Sequence, residues 1–201
     1  MAKLYFKYGA MGSSKTAQAL ITKFNYEERG MTVLLMKPAI DNREEKSVLR
    51  SRIGLEAPCL MVPADMDLYK LYEENYADRD VIIVDECQFL TEDQVDQLGN
   101  LVLDKDIPVL CFGLRTDFLT HLFPGSKRLL EIAESIAEIK SICRCGAKAT
   151  VNARFDDFGN IVYEGEQILI GGNSRYEAMC RRCWLKRKKE QEEKQKKETD
   201  S

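Results

Sequence analysis

The sequence predicts an α/β fold: a doubly wound, mainly parallel sheet followed by a small cysteine-bearing module. Three observations carry this. Short apolar runs alternate with stretches of helical spacing through the first two thirds of the chain, and parallel strands need crossovers of that kind. Two partial nucleotide-site patterns, GAMGSSKT at 9–16 and DE at 85–86, fall at the ends of apolar runs, where ligands bind in open α/β sheets. From Cys143 the aliphatic runs give way to glycine, polar residues and paired cysteines.

Taken in order, 3–8 has strand composition, and after a glycine-serine loop 17–24 carries apolar residues at helical spacing. Gly30 ends that helix, and a second buried strand over 32–36 is closed by Pro38. The polar stretch 41–52 reads as a loop with weak helical character. Further strands are expected at 59–62, 81–84 and 109–112, with helices over 68–76 and 91–103. The expected division is a nucleotide-binding domain over 1–141, a cysteine module over 142–185, and a charged, disordered tail over 186–201 that lacks an apolar face.

Composition narrows the function. A chain of 201 residues, 44% hydrophobic, supports one sizeable core and a small appendage. Its 30 basic and 33 acidic residues give a formal charge of −3, without the basic footprint of a general nucleic-acid binder. No apolar run approaches a membrane span, and the N-terminal residues lack a signal-peptide pattern, so a cytoplasmic protein is expected. In a reducing compartment the seven cysteines point to metal rather than disulfides. Cys59, Cys87 and Cys111 stand alone in apolar contexts and are expected in the core.

The loop at 9–16 approaches the phosphate-binding pattern G-x-x-x-x-G-K-[ST], with Ser14 in place of the second glycine. In such a loop the backbone N–H groups cradle phosphates, Lys15 bridges the terminal phosphates and Thr16 ligates magnesium. Ser13 and Ser14 are also good helix caps, so the loop alone leaves a plain helix start open. The strand at 81–84 shifts the balance: it ends in Asp85, suited to Mg²⁺, and Glu86, free to act as a base toward an acceptor hydroxyl. Cys143-x-Cys145 and Cys180-x-x-Cys183 supply four thiolates in two knuckles, which suits a structural tetrahedral Zn²⁺.

GAMGSSKT, then Lys37-Pro-Ala-Ile-Asp-Asn-Arg43, Asp85-Glu-Cys-Gln-Phe89, Phe112-Gly-Leu-Arg-Thr-Asp-Phe118, and the cysteine pairs flanking Ile170-Gly-Gly-Asn-Ser-Arg-Tyr176 closely resemble the zinc-containing cytosolic thymidine kinases, as far as about Trp184. The resemblance implies a P-loop, RecA-like fold with a C-terminal zinc-binding lasso domain. It also implies transfer of the γ-phosphate of ATP to the 5'-hydroxyl of thymidine, and of deoxyuridine, giving dTMP in nucleotide salvage. A homotetramer and feedback inhibition by dTTP are implied as well. By the same resemblance Glu86 is the general base. ATP and Mg²⁺ fall to Gly9, Ala10, Met11, Gly12, Ser13, Ser14, Lys15, Thr16, Asp85, Glu86, Cys87 and Gln88. Met11, Phe89, Leu114, Phe118 and Tyr176 surround the thymidine base, and Gln167, Ile168, Leu169, Ile170 and Gly171 close over it through backbone groups. Asp41 and Arg43 resemble acceptor-site and phosphate-side residues. The family usually keeps a glycine where Ser14 stands. A competing reading, a zinc-containing, nucleotide-switched nucleic-acid binder, would need a basic groove; neither the acidic sum nor the lasso sequence favours one.

Overall fold

The computed structural model describes residues 1–39, 47–167 and 175–199. They form two compact units. The first comprises Met1–Tyr8, Ser14–Arg115 and Leu122–Ile139, and the second Gly9–Ser13, Thr116–His121 and Lys140–Ser201. Among the described residues no helix is long and apolar enough to cross a membrane.

In the first unit the strands are β1 (Leu4–Tyr8), β2 (Val33–Pro38), β5 (Leu60–Val62), β6 (Val81–Val84), β7 (Val109–Gly113) and β8 (Ser135–Glu138). They pair in the order β5-β2-β6-β7-β1-β8, parallel throughout. The crossovers include α1 (Lys15–Glu27), α2 (Leu68–Asn75), α3 (Glu92–Lys105) and α4 (Pro124–Ile132). β6 reads Val-Ile-Ile-Val because both its faces are covered. Ile82 and Val84 meet the core that holds Leu68, Leu98 and Leu129, and Val81 and Ile83 the core that holds Ala19 and Leu20 of α1. α3 starts with a capping box between Thr91 and Gln94, which satisfies two otherwise unpaired N–H groups.

The polar stretch expected as a loop contains a strand. β3 (Val48–Arg50) pairs antiparallel with β4 (Glu56–Pro58). Leu49 is buried against the α1 side of the sheet, Arg50 Nε donates to Glu56 Oε2 at 2.8 Å across the pair, and Gly54 supplies a positive φ of 88° in the turn. Three-residue strands offer too little alternation to be read as a period.

In the second unit β9 (Val151–Phe155) and β10 (Arg175–Met179) form an antiparallel pair. The tail expected to be disordered is instead helical: α5 spans Arg181–Thr199. It has no apolar stripe, yet it is pinned by other means. Tyr163 packs on Trp184 with ring centroids 5.1 Å apart, and the Arg187 guanidinium lies over the Phe155 ring. The Gln191 amide accepts from Ile161 N and donates to Ile161 O, both at 3.2 Å.

Candidate active site and metal centre

Where β1 runs toward α1, Gly12 and Ser14 take positive φ values of 73° and 63°, and Ser13 N donates to Ala10 O at 3.2 Å. Left-handed residues set on either side of one that is not turn backbone N–H groups toward one concavity, an anion nest. α1 begins at Lys15 with no acidic residue in its first turn, so the positive end of its dipole is open to an anion.

Ser14 is therefore no ordinary helix cap. A preferred N-cap residue has an extended backbone and accepts through its side chain; Ser14 has φ 63°, ψ 26° and makes no such bond. It holds a left-handed conformation that glycine adopts without a steric cost. That conformation costs a residue with a β-carbon about 1–2 kcal/mol. Ser14→Gly is accordingly expected to be active and more stable by about 1 kcal/mol, which denaturant unfolding of the two proteins will measure.

Lys15 is only 7% exposed. Burial pulls its ammonium below the ordinary lysine range, while the carboxylates of Glu86 and then Asp85 act against that. Thr16 Oγ1 donates to Asp85 Oδ2 at 2.7 Å. Asp85, directly after β6, is 1% exposed, and its Oδ1 has no hydrogen-bond partner. Burial, and then the neighbouring Glu86 carboxylate, push its carboxyl up to about 7. An orphaned carboxylate oxygen beside a threonine hydroxyl is a donor set suited to a hard divalent cation.

Glu86 is also left-handed, at φ 52°, and leads into the 3₁₀ turn Cys87–Phe89. Gln88 is fully buried. Its Nε2 donates to Glu86 Oε2 at 2.6 Å and its Oε1 accepts from Leu114 N at 2.9 Å. A backbone N–H can only donate, so the amide has one permitted orientation and presents its NH₂ to Glu86. The turn fits because β7 ends in glycine: a β-carbon on Gly113 would stand 2.6 Å from both Cys87 Sγ and Gln88 Oε1. The Cys87 thiol is buried beside Cys111, and burial raises its pKa well above the usual thiol range. Any part Cys87 plays in nucleotide binding falls to its backbone. Phe89 meets Phe123 edge-on, with centroids 5.4 Å apart.

In the second unit the sulfurs of Cys143, Cys145, Cys180 and Cys183 all lie within 4.8 Å of one another, with Cys145 and Cys180 3.6 Å apart. Four thiolates around a tetrahedral zinc at 2.3 Å stand about 3.8 Å apart, so the cluster is compatible with structural zinc. Backbone N–H groups of Cys145 and Cys180 hold the Cys143 thiol below its ordinary range against the opposing effect of burial. The short C-x-C knuckle closes through Gly146, whose φ is 87° and whose N donates to Cys143 O at 2.8 Å.

The profile of the thymidine kinase family matches residues 2–184. The chain belongs to the thymidine kinase family. A thymidine kinase of Zymomonas mobilis is 48% identical over 189 residues, which is 93% of this chain and 98% of that protein. One from Vibrio cholerae is 48% identical over 183 residues, 90% of this chain and 95% of that protein. One from Yersinia pestis is 45% identical over 184 residues, 90% of this chain and 94% of that protein.

In this member of the thymidine kinase family, the first unit holds Ser14, Lys15, Thr16, Asp85, Glu86, Cys87, Gln88, Phe89 and Leu114. The second holds Gly9, Ala10, Met11, Gly12 and Ser13 together with Phe118, Gln167, Tyr176 and the four cysteines. Asp41, Arg43, Ile168, Leu169, Ile170 and Gly171 lie outside the described residues. Sequence reasoning passed over Asp117, Asn152 and Arg154, all buried polar groups of the second unit. The signal was available in β9, Val-Asn-Ala-Arg-Phe, where apolar and polar residues alternate with the period of a strand.

Proposed function

We propose that the protein is an ATP-dependent thymidine kinase, transferring the γ-phosphate of ATP to the 5'-hydroxyl of thymidine, and of deoxyuridine, to give dTMP for deoxynucleotide salvage in the cytoplasm. Family membership supports the substrate class. The observation that carries the mechanism is Glu86, held by Gln88 through one carboxylate oxygen and next in sequence to the buried Asp85.

The roles follow from the chemistry of each group. The nest of residues 9–14 and the start of α1 bind the donor phosphates. Lys15, buried and cationic, neutralises charge on the phosphoryl group as it moves. Glu86 accepts the 5'-hydroxyl proton through Oε1 while Gln88 keeps Oε2 engaged. Mg²⁺ arriving with ATP would be held by Thr16 and Asp85, where it offsets charge on the phosphate oxygens. Met11, Phe89, Leu114, Phe118 and Tyr176 enclose the thymine base, with the backbone of 167–171 closing over it, and Asp41 and Arg43 serve the acceptor and phosphate side. A homotetramer inhibited by dTTP fits the family resemblance. The exposed apolar residues Ile21 and Phe24 on α1 and Leu55 on the β3-β4 turn offer a face for assembly, which light scattering after size exclusion will test.

Incubation with labelled ATP, magnesium and a panel of nucleosides is the direct test. Label is expected in thymidine and deoxyuridine, and transfer to purine nucleosides but not to thymidine would overturn the reading. One structural zinc per chain is expected at the four cysteines. Because such a site contributes folding energy to its own module, Cys180→Ser or chelation should weaken thymidine binding more than ATP binding. Elemental analysis with paired titrations checks this; zinc loss that leaves thymidine affinity intact would refute it.

A further inference from the structure

We propose that Arg154, with Asn152 beside it on the same face of β9, is a positioning residue that sets thymidine affinity by holding two walls of the nucleoside pocket, Phe118 and Met11, from behind. β9 is a strand with two different faces. Ala153 and Phe155 join the apolar cluster that contains Cys143 and Cys180. Asn152 and Arg154, two residues apart, share the other face. Both are almost completely buried, at 3% and 6% exposure, and the mechanism proposed above gives neither a role in phosphoryl transfer.

Each makes contacts that fix a loop rather than the strand itself. Asn152 Oδ1 accepts from Met11 N and its Nδ2 donates to Thr116 O, both at 2.8 Å. The carbon at the centre of the Arg154 guanidinium lies 3.7 Å from the centroid of the Phe118 ring. The same guanidinium donates to Glu166 O at 3.2 Å and to Glu164 O at 3.3 Å. Between those carbonyls Gly165 has φ 117°, and a β-carbon there would come within 3.0 Å of the guanidinium, so the chain wraps the arginine closely. Asp117, next to Phe118 in sequence, braces the same loop: its carboxylate accepts from Leu119 N, His121 N and the Gln167 amide at 2.8–2.9 Å.

A planar fork that stacks on a ring while donating to two carbonyls is a task for arginine and not lysine. The arrangement ties Phe118 to the backbone at Glu164 and Glu166 through one side chain. Loosening it raises the cost of ordering the pocket around thymidine, an effect on ground-state binding and not on the reacting atoms.

The inference rests on the thymidine kinase reading and on Phe118 and Met11 as pocket walls, and steady-state kinetics can separate these. Wild type, Arg154→Met, Arg154→Lys, Phe118→Ala and the Arg154→Met/Phe118→Ala pair would be compared, with zinc content as a control on the fold. A wild-type enzyme that ignores thymidine defeats the functional reading first, and a Phe118→Ala enzyme with wild-type thymidine KM removes the wall on which the inference stands. Otherwise both Arg154 variants are expected to raise thymidine KM about tenfold or more, with kcat and ATP KM within about twofold and zinc retained. In the Phe118→Ala background Arg154→Met should add less than about twofold, because both act through one ring. If Arg154→Met does not fold, Arg154→Lys keeps the charge and stem and carries the same expectation. Arg154 variants with wild-type thymidine KM, with kcat lowered instead, or with effects that add in full to Phe118→Ala would overturn the proposal.

Discussion

Glu86→Gln is expected to bind ATP and thymidine almost normally and to turn over at least about a hundredfold more slowly, the usual loss when a general base is removed. The substitution keeps the shape of the side chain. What it removes is the ability to take a proton from the 5'-hydroxyl, so binding and chemistry should part company. Calorimetry for the two substrates alongside initial rates will show this separation. Near-normal turnover would mean that the proton goes elsewhere and that Glu86 only shapes the turn after β6.

Lys15→Ala is expected to cost about a thousandfold or more in transfer rate, the upper range for losing one group that stabilises developing charge. Lys15 is buried under the opposing charges of Glu86 and Asp85, so alanine also removes a cation that balances two carboxylates. Lys15→Met preserves the volume and separates the loss of charge from the loss of packing. The comparison with Ser14→Gly is informative. One substitution deletes the side-chain charge proposed to act in transfer, and the other relaxes a backbone whose N–H groups are proposed to bind the phosphates. An active Lys15→Ala enzyme would show that the loop at 9–16 is a helix start and that ATP is held elsewhere.

The core strands were legible because each is buried on both faces and reads as an uninterrupted apolar run, as Val81–Val84 does. β3 was not, since three residues cannot display a period, and only the burial of Leu49 and the Arg50–Glu56 pair make it a strand. The helix through the tail escaped for a different reason. Pattern reading looks for an apolar stripe, and α5 docks instead through Trp184, an arginine over a ring and a glutamine that pairs with backbone. At the candidate site, the loop at 9–16, the paired carboxylates and the cysteine pairs could be singled out as candidates because each is a short local pattern in the sequence. The left-handed backbone at Ser14 could not be read from a serine. Nor could the grouping of residues 9–13 and 116–121 with the cysteine-bearing unit, which depends on side chains of β9 far away in the chain.

The two-faced strand has a bearing on how metal loss will look at the bench. Met179, opposite Val151 in the β9-β10 pair, is followed at once by Cys180, so a zinc held by the four cysteines would fix the alignment of the two strands as well as their ends. A strand freed to slip by one residue exchanges its faces completely. Arg154 and Asn152 would then point where Ala153 and Phe155 belong, and both loops would be released in the same event. If the cluster holds the proposed zinc, its removal should therefore weaken thymidine binding abruptly and imitate the loss of a catalytic ion, although the four cysteines touch no reacting atom in the mechanism proposed above.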